Sequence, residues 1–249
     1  MEIATQYKAK YYSDRSSKVI DSFVFHSTEL TFEESLKMLM GKTDREVSSH
    51  YLIDLAGEVF QLVDPMKKAW HAGESFWRGR KGLNEYSIGF ELVDTDEKGN
   101  QSKFTNKQMN ALEGLCKDLM KRFNIDQRNI VAHSDIAPQR KQDPGENFDW
   151  KSMNQEGIGI FHDIDVDAFG NNVIKARPGD HNNNVYLAKK LLKEIGYLID
   201  LNDIYDKDFS YVIVAFKRRF IQKDISDSLD ELTLEVLTSV AERFIQFGN

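Results

Sequence analysis

Apolar positions in the first part of the chain follow two different periods, and each period predicts a type of element. Short apolar runs predict strands over 19–26, 51–55, 59–63, 87–93 and 130–133. Apolar residues spaced three and four apart predict helices that begin after Thr31 and after Thr105. Each threonine is followed three residues later by a glutamate or glutamine, which completes a capping box. Strands that alternate with helices are typical of an α/β fold.

The pattern changes after Pro144. Glycines, asparagines and the Arg177-Pro178-Gly179 turn predict loops as far as about residue 180. Helical spacing then returns and predicts three short amphipathic helices. We therefore expect a first domain over 1–180, with a linker from about residue 145, and a second over 181–249. The predicted fold class is α/β, with a central mixed β-sheet flanked by helices, followed by a small three-helix domain.

Composition narrows the classes of partner. The net charge is −7, and the longest basic cluster is Lys217-Arg218-Arg219, for which we expect a solvated helix face. This balance argues against nucleic-acid binding, because no basic stretch could neutralise phosphates. No segment has the roughly 18 apolar residues that a membrane span requires.

The expected location is the cytoplasm. The first residues show no basic start followed by an apolar stretch, and the single cysteine, Cys116, fits a reducing compartment. An envelope location would require that a leader had been removed.

Three polar residues are candidate metal ligands. His26 and His133 each end a predicted strand, and Asp143 lies ten residues after His133. A catalytic zinc requires three protein ligands and a fourth position for water, and imidazole and carboxylate both suit it. If the three side chains converge, the chain is a metal-assisted hydrolase.

The other histidines leave this assignment open. Spacing alone does not separate His50 or His71 from His26 as ligands. His162 and His181 lie in the weakly patterned region, where we expect surface residues.

A zinc hydrolase also needs a general base and a cation that stabilises the oxyanion. Glu91 is a candidate base, because it lies beside Gly89 on the strand face opposite Ile88 and Phe90. Lys141, two residues before Asp143, is a candidate cation. The same spacing more commonly indicates solvated residues, that is, a solvated strand residue for Glu91 and a solvated loop residue for Lys141.

Five segments, in order along residues 20–150, carry a family resemblance. They are Phe25-His26-Ser27-Thr28, the run 47–53, Trp70-His71-Ala72-Gly73, the run 87–92, and the run 131–138 continued by 141–145. On these segments the chain resembles the zinc-dependent N-acetylmuramoyl-L-alanine amidases of the type-2 amidase superfamily. The last part of the chain is similar to a small three-helix peptidoglycan-binding module, on Gly196-Tyr197, 214–220 and 230–233.

The resemblance implies roles for individual residues. It makes His26, His133 and Asp143 the ligands of one Zn²⁺ per chain. It places Glu91 at the catalytic acidic position and Lys141 at the position that stabilises the transition state.

The resemblance also implies a region that handles the substrate. It places His50 and His71 at non-ligand positions near the groove. Trp77, Arg78 and Asn84 fall in the region that contacts the sugar and the stem peptide.

The implied reaction is hydrolysis of the amide between N-acetylmuramic acid, or its 1,6-anhydro form, and L-alanine, in cell-wall turnover and recycling. The expected partners are therefore peptidoglycan fragments, that is, muropeptides. Two alternatives remain at this point: a muropeptide-sensing protein without catalysis, and a zinc peptidase that cuts within the stem peptide. Sensing members of the superfamily usually lack a metal ligand, whereas none is missing here.

Overall fold

The computed structural model of the chain describes residues 2–170 and 172–247. Its strands are β1 (Ile3–Ala4), β2 (Tyr12–Asp14), β3 (Ser22–Ser27), β4 (Tyr51–Ile53), β5 (Val59–Gln61), β6 (Lys67–Ala69), β7 (Phe76–Trp77), β8 (Arg80–Lys81), β9 (Ser87–Leu92), β10 (Ile130–Ala132), β11 (Ile174–Ala176) and β12 (Leu229–Asp230). Its helices are α1 (Phe32–Leu39), α2 (Asn106–Phe123), α3 (His133–Ile136), α4 (Trp150–Gln155), α5 (Asn183–Ile195), α6 (Lys207–Phe220) and α7 (Glu231–Gln246). None of the helices in these described ranges combines the length and the apolarity needed to cross a membrane.

Both predicted capping boxes are present. The side chain of Thr31 accepts a hydrogen bond from the Glu34 N–H at the start of α1, and Thr105 accepts one from Gln108 at the start of α2. In each case the side chain of the later residue accepts a hydrogen bond from the threonine N–H. A side-chain N-cap stabilises a helix by about 1 kcal/mol, which explains why these starts could be predicted from the sequence.

The central sheet is mixed, as the sequence predicts. Its strand order is β1-β5-β4-β9-β3-β10. The strands β4, β9, β3 and β10 run parallel, whereas β4 and β5 form an antiparallel hairpin. The neighbouring inner strands β9 and β3 are almost completely buried, as expected for parallel strands that are covered on both faces.

The register of the parallel strands determines which side chains meet at one edge. His26 on β3 is paired with Glu91 on β9, and Phe25 is paired with Ala132 on β10. His133, the residue after Ala132, therefore follows β10 at the same level as His26. Ligands of open α/β sheets bind at the carboxyl ends of such strands.

The C-terminal helices share an apolar core with the sheet region. Tyr197 packs edge-on against Trp77, with ring centroids 5.0 Å apart, and Phe244 of α7 packs on the other side at 6.3 Å. These residues belong to one continuous cluster that also includes the strands β3 and β9. The domain boundary near residue 180 stays a prediction.

The basic cluster in α6 differs from its prediction. Lys217, Arg218 and Arg219 are 0%, 7% and 1% exposed, so they do not form a solvated face. Lys217 is paired with Asp230 at 3.0 Å, and Arg219 is paired with Asp135 at 2.7 Å. Burial of Lys217 and Arg219 is tolerated because each pairs with a buried carboxylate, whereas Arg218 lies 3.6 Å from the exposed Glu146.

His162 also differs from its prediction, whereas His181 is exposed as expected. His162 is 4% exposed. Its Nε2–H donates to the Phe220 carbonyl at 2.6 Å, and its Nδ1 accepts from the Ile164 N–H at 3.1 Å. Both ring nitrogens are thus satisfied by the backbone, which makes burial of the imidazole inexpensive.

Candidate active site

Three candidate ligands converge at the carboxyl edge of the sheet. His26 lies near the end of β3, His133 begins α3, and Asp143 lies on the following loop. The Nδ1 atoms of the two histidines are 2.9 Å apart, and each lies 3.0 Å from Oδ2 of Asp143. The Ser134 N–H donates to the Asp143 carbonyl at 3.1 Å and ties this loop to α3. Among the described residues these three form a candidate metal site, and their predicted convergence is confirmed.

The imidazole of His133 is oriented by the backbone. Its Nε2–H donates to the carbonyl oxygen of Ala72 at 3.2 Å. Because a carbonyl can only accept, the proton lies on Nε2, and the Nδ1 lone pair faces the other two ligands. Arg140 donates to the same carbonyl at 2.5 Å and to the carbonyl of Glu74, so it fixes the loop that orients His133.

The imidazole of His26 is oriented by a chain of side-chain hydrogen bonds. Its Nε2–H donates to Nδ1 of His71 at 3.0 Å, and Nε2–H of His71 donates to Oγ of Ser87 at 3.2 Å. The Ser87 hydroxyl donates to the carbonyl of Leu83 at 2.5 Å, which fixes the direction of the whole chain. The Nδ1 atom of His26 is therefore also left unprotonated.

The electrostatics of the site favour the ligand forms of these side chains. Burial, aided by the neighbouring His133, lowers the pKa of His26 to about 4. Burial alone would raise the pKa of Asp143, but the charges and hydrogen bonds of His133 and His26 outweigh it and hold that pKa well below its usual range. At neutral pH His26 is thus neutral and Asp143 is ionised, as divalent metal binding requires.

Glu91 and Lys141 lie beside the candidate metal site. Both line a cleft of about 480 Å³ together with the three candidate ligands. Glu91 is 8% exposed. Burial raises the pKa of Glu91 well above its usual range, Asp143 raises it further, and Lys141 opposes the shift. The structure therefore brings all five predicted chemical residues to one cleft.

The predicted substrate-handling residues divide into two groups. His71 lines the cleft, and Asn84 lines an adjoining cleft of about 560 Å³, where its Oδ1 accepts from the N–H groups of residues 71 and 72. The structure does not place Trp77 in either cleft: it is 1% exposed, and its indole N–H donates to the carbonyl of Arg128. Arg78 pairs with Asn129 at the surface on the same side. Neither residue lines these two clefts, and the Arg78 N–H donates to the carbonyl of Gly196 just after α5.

His50 lies beneath the site, not in the groove. It is fully buried, and its Nδ1 accepts from the Gly89 N–H at 3.0 Å. Burial, with the charge of Arg15, lowers its pKa to about 3, so the ring stays neutral in the folded protein.

We expect His50 to make folding stability depend on pH. A histidine with a folded pKa of about 3 and an unfolded pKa near 6.5 binds its proton mainly in the unfolded state between these values. Its stabilising contribution is full above about pH 6.5 and is lost as pH falls toward 3. Between pH 7 and pH 5 the loss is about 2 kcal/mol. Urea unfolding of the wild-type and His50→Asn apoproteins at both pH values isolates this contribution, and His50→Asn should show a correspondingly smaller difference. An equal difference in the two proteins would contradict the prediction.

Gly89 is required by the close approach of His71. A Cβ at position 89 would lie 2.5 Å from Cγ of His71. One face of β9 carries Ser87, Gly89 and Glu91, because side chains alternate between the two faces of a strand. Sequence reasoning missed the role of Ser87, which this alternation could have revealed. Arg140 carries no such signal, since it is one exposed loop arginine among several.

We expect Gly89→Ala to lower the free energy of unfolding by about 1–3 kcal/mol, because the methyl group overpacks a site that cannot expand. Thermal unfolding of the apoprotein measures the effect. Gly114→Ala is the matched control: it lies in α2 with open space around its Cβ position, and it should stabilise the protein slightly. A Gly89→Ala protein as stable as wild type would contradict the close contact.

The fold and the site together define a class. A mixed α/β sheet carries two imidazoles and a carboxylate at its carboxyl edge, beside a buried glutamate and a lysine, which is the arrangement of a metal-dependent hydrolase. Residues 16–146 match the family model for N-acetylmuramoyl-L-alanine amidase (Amidase_2). The chain belongs to this family, and it is an N-acetylmuramoyl-L-alanine amidase.

Two curated relatives illustrate the similarity. The chain is 34% identical over 242 residues to N-acetylmuramoyl-L-alanine amidase AmiD of Escherichia coli, covering 91% of this chain and 84% of the relative. It is 44% identical over 108 residues to the 1,6-anhydro-N-acetylmuramyl-L-alanine amidase AmpD of Enterobacter cloacae, covering 43% of this chain and 56% of the relative.

Two solved structures share the fold over nearly the whole chain. The E. coli AmiD complex with anhydro-N-acetylmuramic acid-L-Ala-D-γ-Glu-L-Lys has a TM-score of 0.74 at 34% identity, covering 92% of this chain and 93% of AmiD. AmpDh3 of Pseudomonas aeruginosa has a TM-score of 0.75 at 28% identity, covering 95% of this chain and 97% of AmpDh3. Both matches cover more than nine-tenths of this chain.

Proposed function

We propose that this chain uses zinc to hydrolyse the amide bond between N-acetylmuramic acid, or its 1,6-anhydro form, and the L-alanine of a stem peptide. The observation that carries the proposal is the convergence of His26, His133 and Asp143 beside Glu91. Family membership identifies the bond, and the side chains provide the chemistry.

The donor atoms of the site fit zinc. In a four-coordinate zinc site with bonds of about 2.0–2.1 Å, neighbouring ligand atoms lie roughly 3.3 Å apart. The three donor atoms here are separated by 2.9–3.0 Å. Two imidazoles and one carboxylate also leave a fourth position open, as in catalytic zinc sites. When bound, zinc lowers the pKa of a coordinated water to about 7 and polarises a carbonyl oxygen.

The protein's own groups move the protons and stabilise the charge. We assign Glu91 as the general base that takes a proton from the attacking water. A buried carboxylate with a raised pKa is a stronger base than a solvated one. The same carboxyl group then returns the proton to the amine nitrogen of L-alanine as it leaves. Lys141 donates from Nζ to the carbonyl oxygen as negative charge develops there.

The shape of the site supports a muropeptide as substrate. The two adjoining clefts share His71, His133 and Lys141. A substrate with a sugar on one side of its reacting amide and a peptide on the other can therefore extend from one cleft into the next. AmiD and AmpDh3 have both been solved with anhydromuropeptides bound, which supports the anhydro form as a substrate here.

Removal of zinc is expected to abolish turnover of an anhydromuropeptide, and addition of zinc is expected to restore it. Mass spectrometry of the products should show an intact stem peptide with a free L-alanine amine. A cut inside the stem peptide would indicate a peptidase, and binding without turnover in zinc-loaded protein would indicate a sensing protein. Unchanged turnover after chelation would contradict the zinc mechanism.

A further inference from the structure

Asp135 connects the candidate metal site to the rest of the molecule. It lies two residues after His133, and its Oδ2 accepts from the Ala132 N–H at 2.9 Å, which caps the start of α3. Because α3 is a single short turn that begins at His133, the position of this cap fixes where the imidazole leaves the backbone.

The other hydrogen bonds to Asp135 come from the C-terminal part of the chain. The hydroxyl of Tyr197, just after α5, donates to Oδ1 at 2.6 Å. Arg219 of α6 donates from Nη1 to Oδ2 at 2.7 Å. Burial, together with the charge of Asp135, raises the pKa of Tyr197 well above its usual range, so the phenol remains a donor.

This cluster is sealed from solvent. Asp135 and Arg219 are each 1% exposed, and Tyr197 is 2% exposed. The Arg219 guanidinium also donates to the Ile160 carbonyl at 3.2 Å, and its Cζ lies 4.0 Å from the ring centroid of Trp150.

A second connection runs from the same arginine toward the other histidine. Trp150 stacks on Phe25, with ring centroids 5.5 Å apart, and Phe25 directly precedes His26. Arg219 is therefore linked toward both candidate histidine ligands, through Asp135 to His133 and through Trp150 and Phe25 to His26. A planar, charged group with several fixed donors suits this role better than a flexible lysine.

We infer that Tyr197 and Arg219 are positioning residues for the metal site: they fix the carboxylate of Asp135, and Asp135 in turn fixes His133. The C-terminal helices thus complete the metal site from behind, in addition to any contact that they make with substrate. This inference rests on the proposed zinc function.

The test compares the zinc affinity of Tyr197→Phe, Arg219→Met and the wild-type chain, measured by competition with a chromophoric chelator. Groups that orient metal ligands typically change metal affinity by about 10–100-fold when they are removed, so we expect zinc binding at least about tenfold weaker in both variants. Tyr197→Phe removes one hydroxyl from a packed ring, and it decides the test if Arg219→Met does not fold.

Lys217→Met is the matched control, because it breaks a buried ion pair on the same helix. The partners of Lys217 are Asp224, Ser226 and Asp230, and none of them is among the groups that donate to Asp135 in the described part of the chain. We expect this variant to lose thermal stability and to keep wild-type zinc affinity. Unchanged zinc affinity in Tyr197→Phe and Arg219→Met, or an equal loss in Lys217→Met, would overturn the inference alone. A wild-type chain that binds no zinc would overturn the proposed function with it.

Discussion

Asp143→Ala is expected to abolish metal binding and amidase activity together. The carboxylate lies 3.0 Å from the Nδ1 atoms of both candidate histidine ligands, so its removal leaves two donors in place of three. It also removes the anion that balances the metal's charge in a buried site. Equilibrium dialysis with zinc and release of the stem peptide from an anhydromuropeptide measure the two losses.

Asp200→Ala is the control for the same chemical change at an exposed position. It should keep the zinc content and turnover of the wild-type chain. Asp143→Asn refines the test, because it keeps the shape of the side chain and removes its charge. Tight, stoichiometric zinc binding by Asp143→Ala would show that the carboxylate is not a ligand, and the assignment of the site would have to change.

Local features of the sequence predicted the elements that carry the site. The strands β3, β9 and β10 follow from apolar runs, and α2 follows from a capping box and a regular apolar spacing, because these signals act within a few residues. Parallel strands of one sheet then place their carboxyl ends together. This is why His26 and His133 could be expected to meet, although 107 residues separate them.

Spacing could not choose between the histidines, and the structure gives the reason. His71 does contact His26: its Nδ1 lies 3.0 Å from Nε2 of His26. This Nε2 is the nitrogen of His26 that does not contact Asp143. The nitrogen that each ligand histidine turns toward Asp143 depends on what its other nitrogen donates to: His71 Nδ1, held by Ser87, for His26, and the Ala72 carbonyl for His133. These partners are set by the tertiary fold. Only the ordered family motifs distinguished the ligand position of His26 from the non-ligand position of His71 on the sequence alone.

The burial of the charges in α6 could not be predicted from local sequence either. A run of three basic residues normally indicates a solvent-exposed surface. The carboxylate partner of Arg219, Asp135, is 84 residues away in the sequence. Trp77 is a related case: its motif lies next to cleft residues, yet its ring packs under Tyr197. In both cases the environment comes from the C-terminal helices packing behind the sheet, which no local pattern records.

Glu91→Gln is expected to lower kcat by about 10²–10⁴-fold and to leave zinc affinity nearly unchanged, and Glu91→Ala should behave alike. Glu91 is paired with His26 in the sheet register but is not one of the three converging donors. Its removal therefore takes away the proton acceptor and leaves the metal ligands in place. Steady-state turnover of an anhydromuropeptide and zinc competition measure the two properties on the same preparations.

The effect on stability separates this catalytic role from a structural one. Burial raises the folded pKa of Glu91 well above its usual value of 4.5, so the folded apoprotein loses stability relative to the unfolded chain as pH rises above 4.5. Glu91→Gln removes this titratable group and its cost to stability, and we expect its thermal unfolding temperature at pH 7 to rise while turnover falls. Glu97→Gln, at an exposed position, should change neither property. Wild-type turnover in Glu91→Gln, or a loss of zinc as large as that of Asp143→Ala, would contradict the assignment of Glu91 as the base.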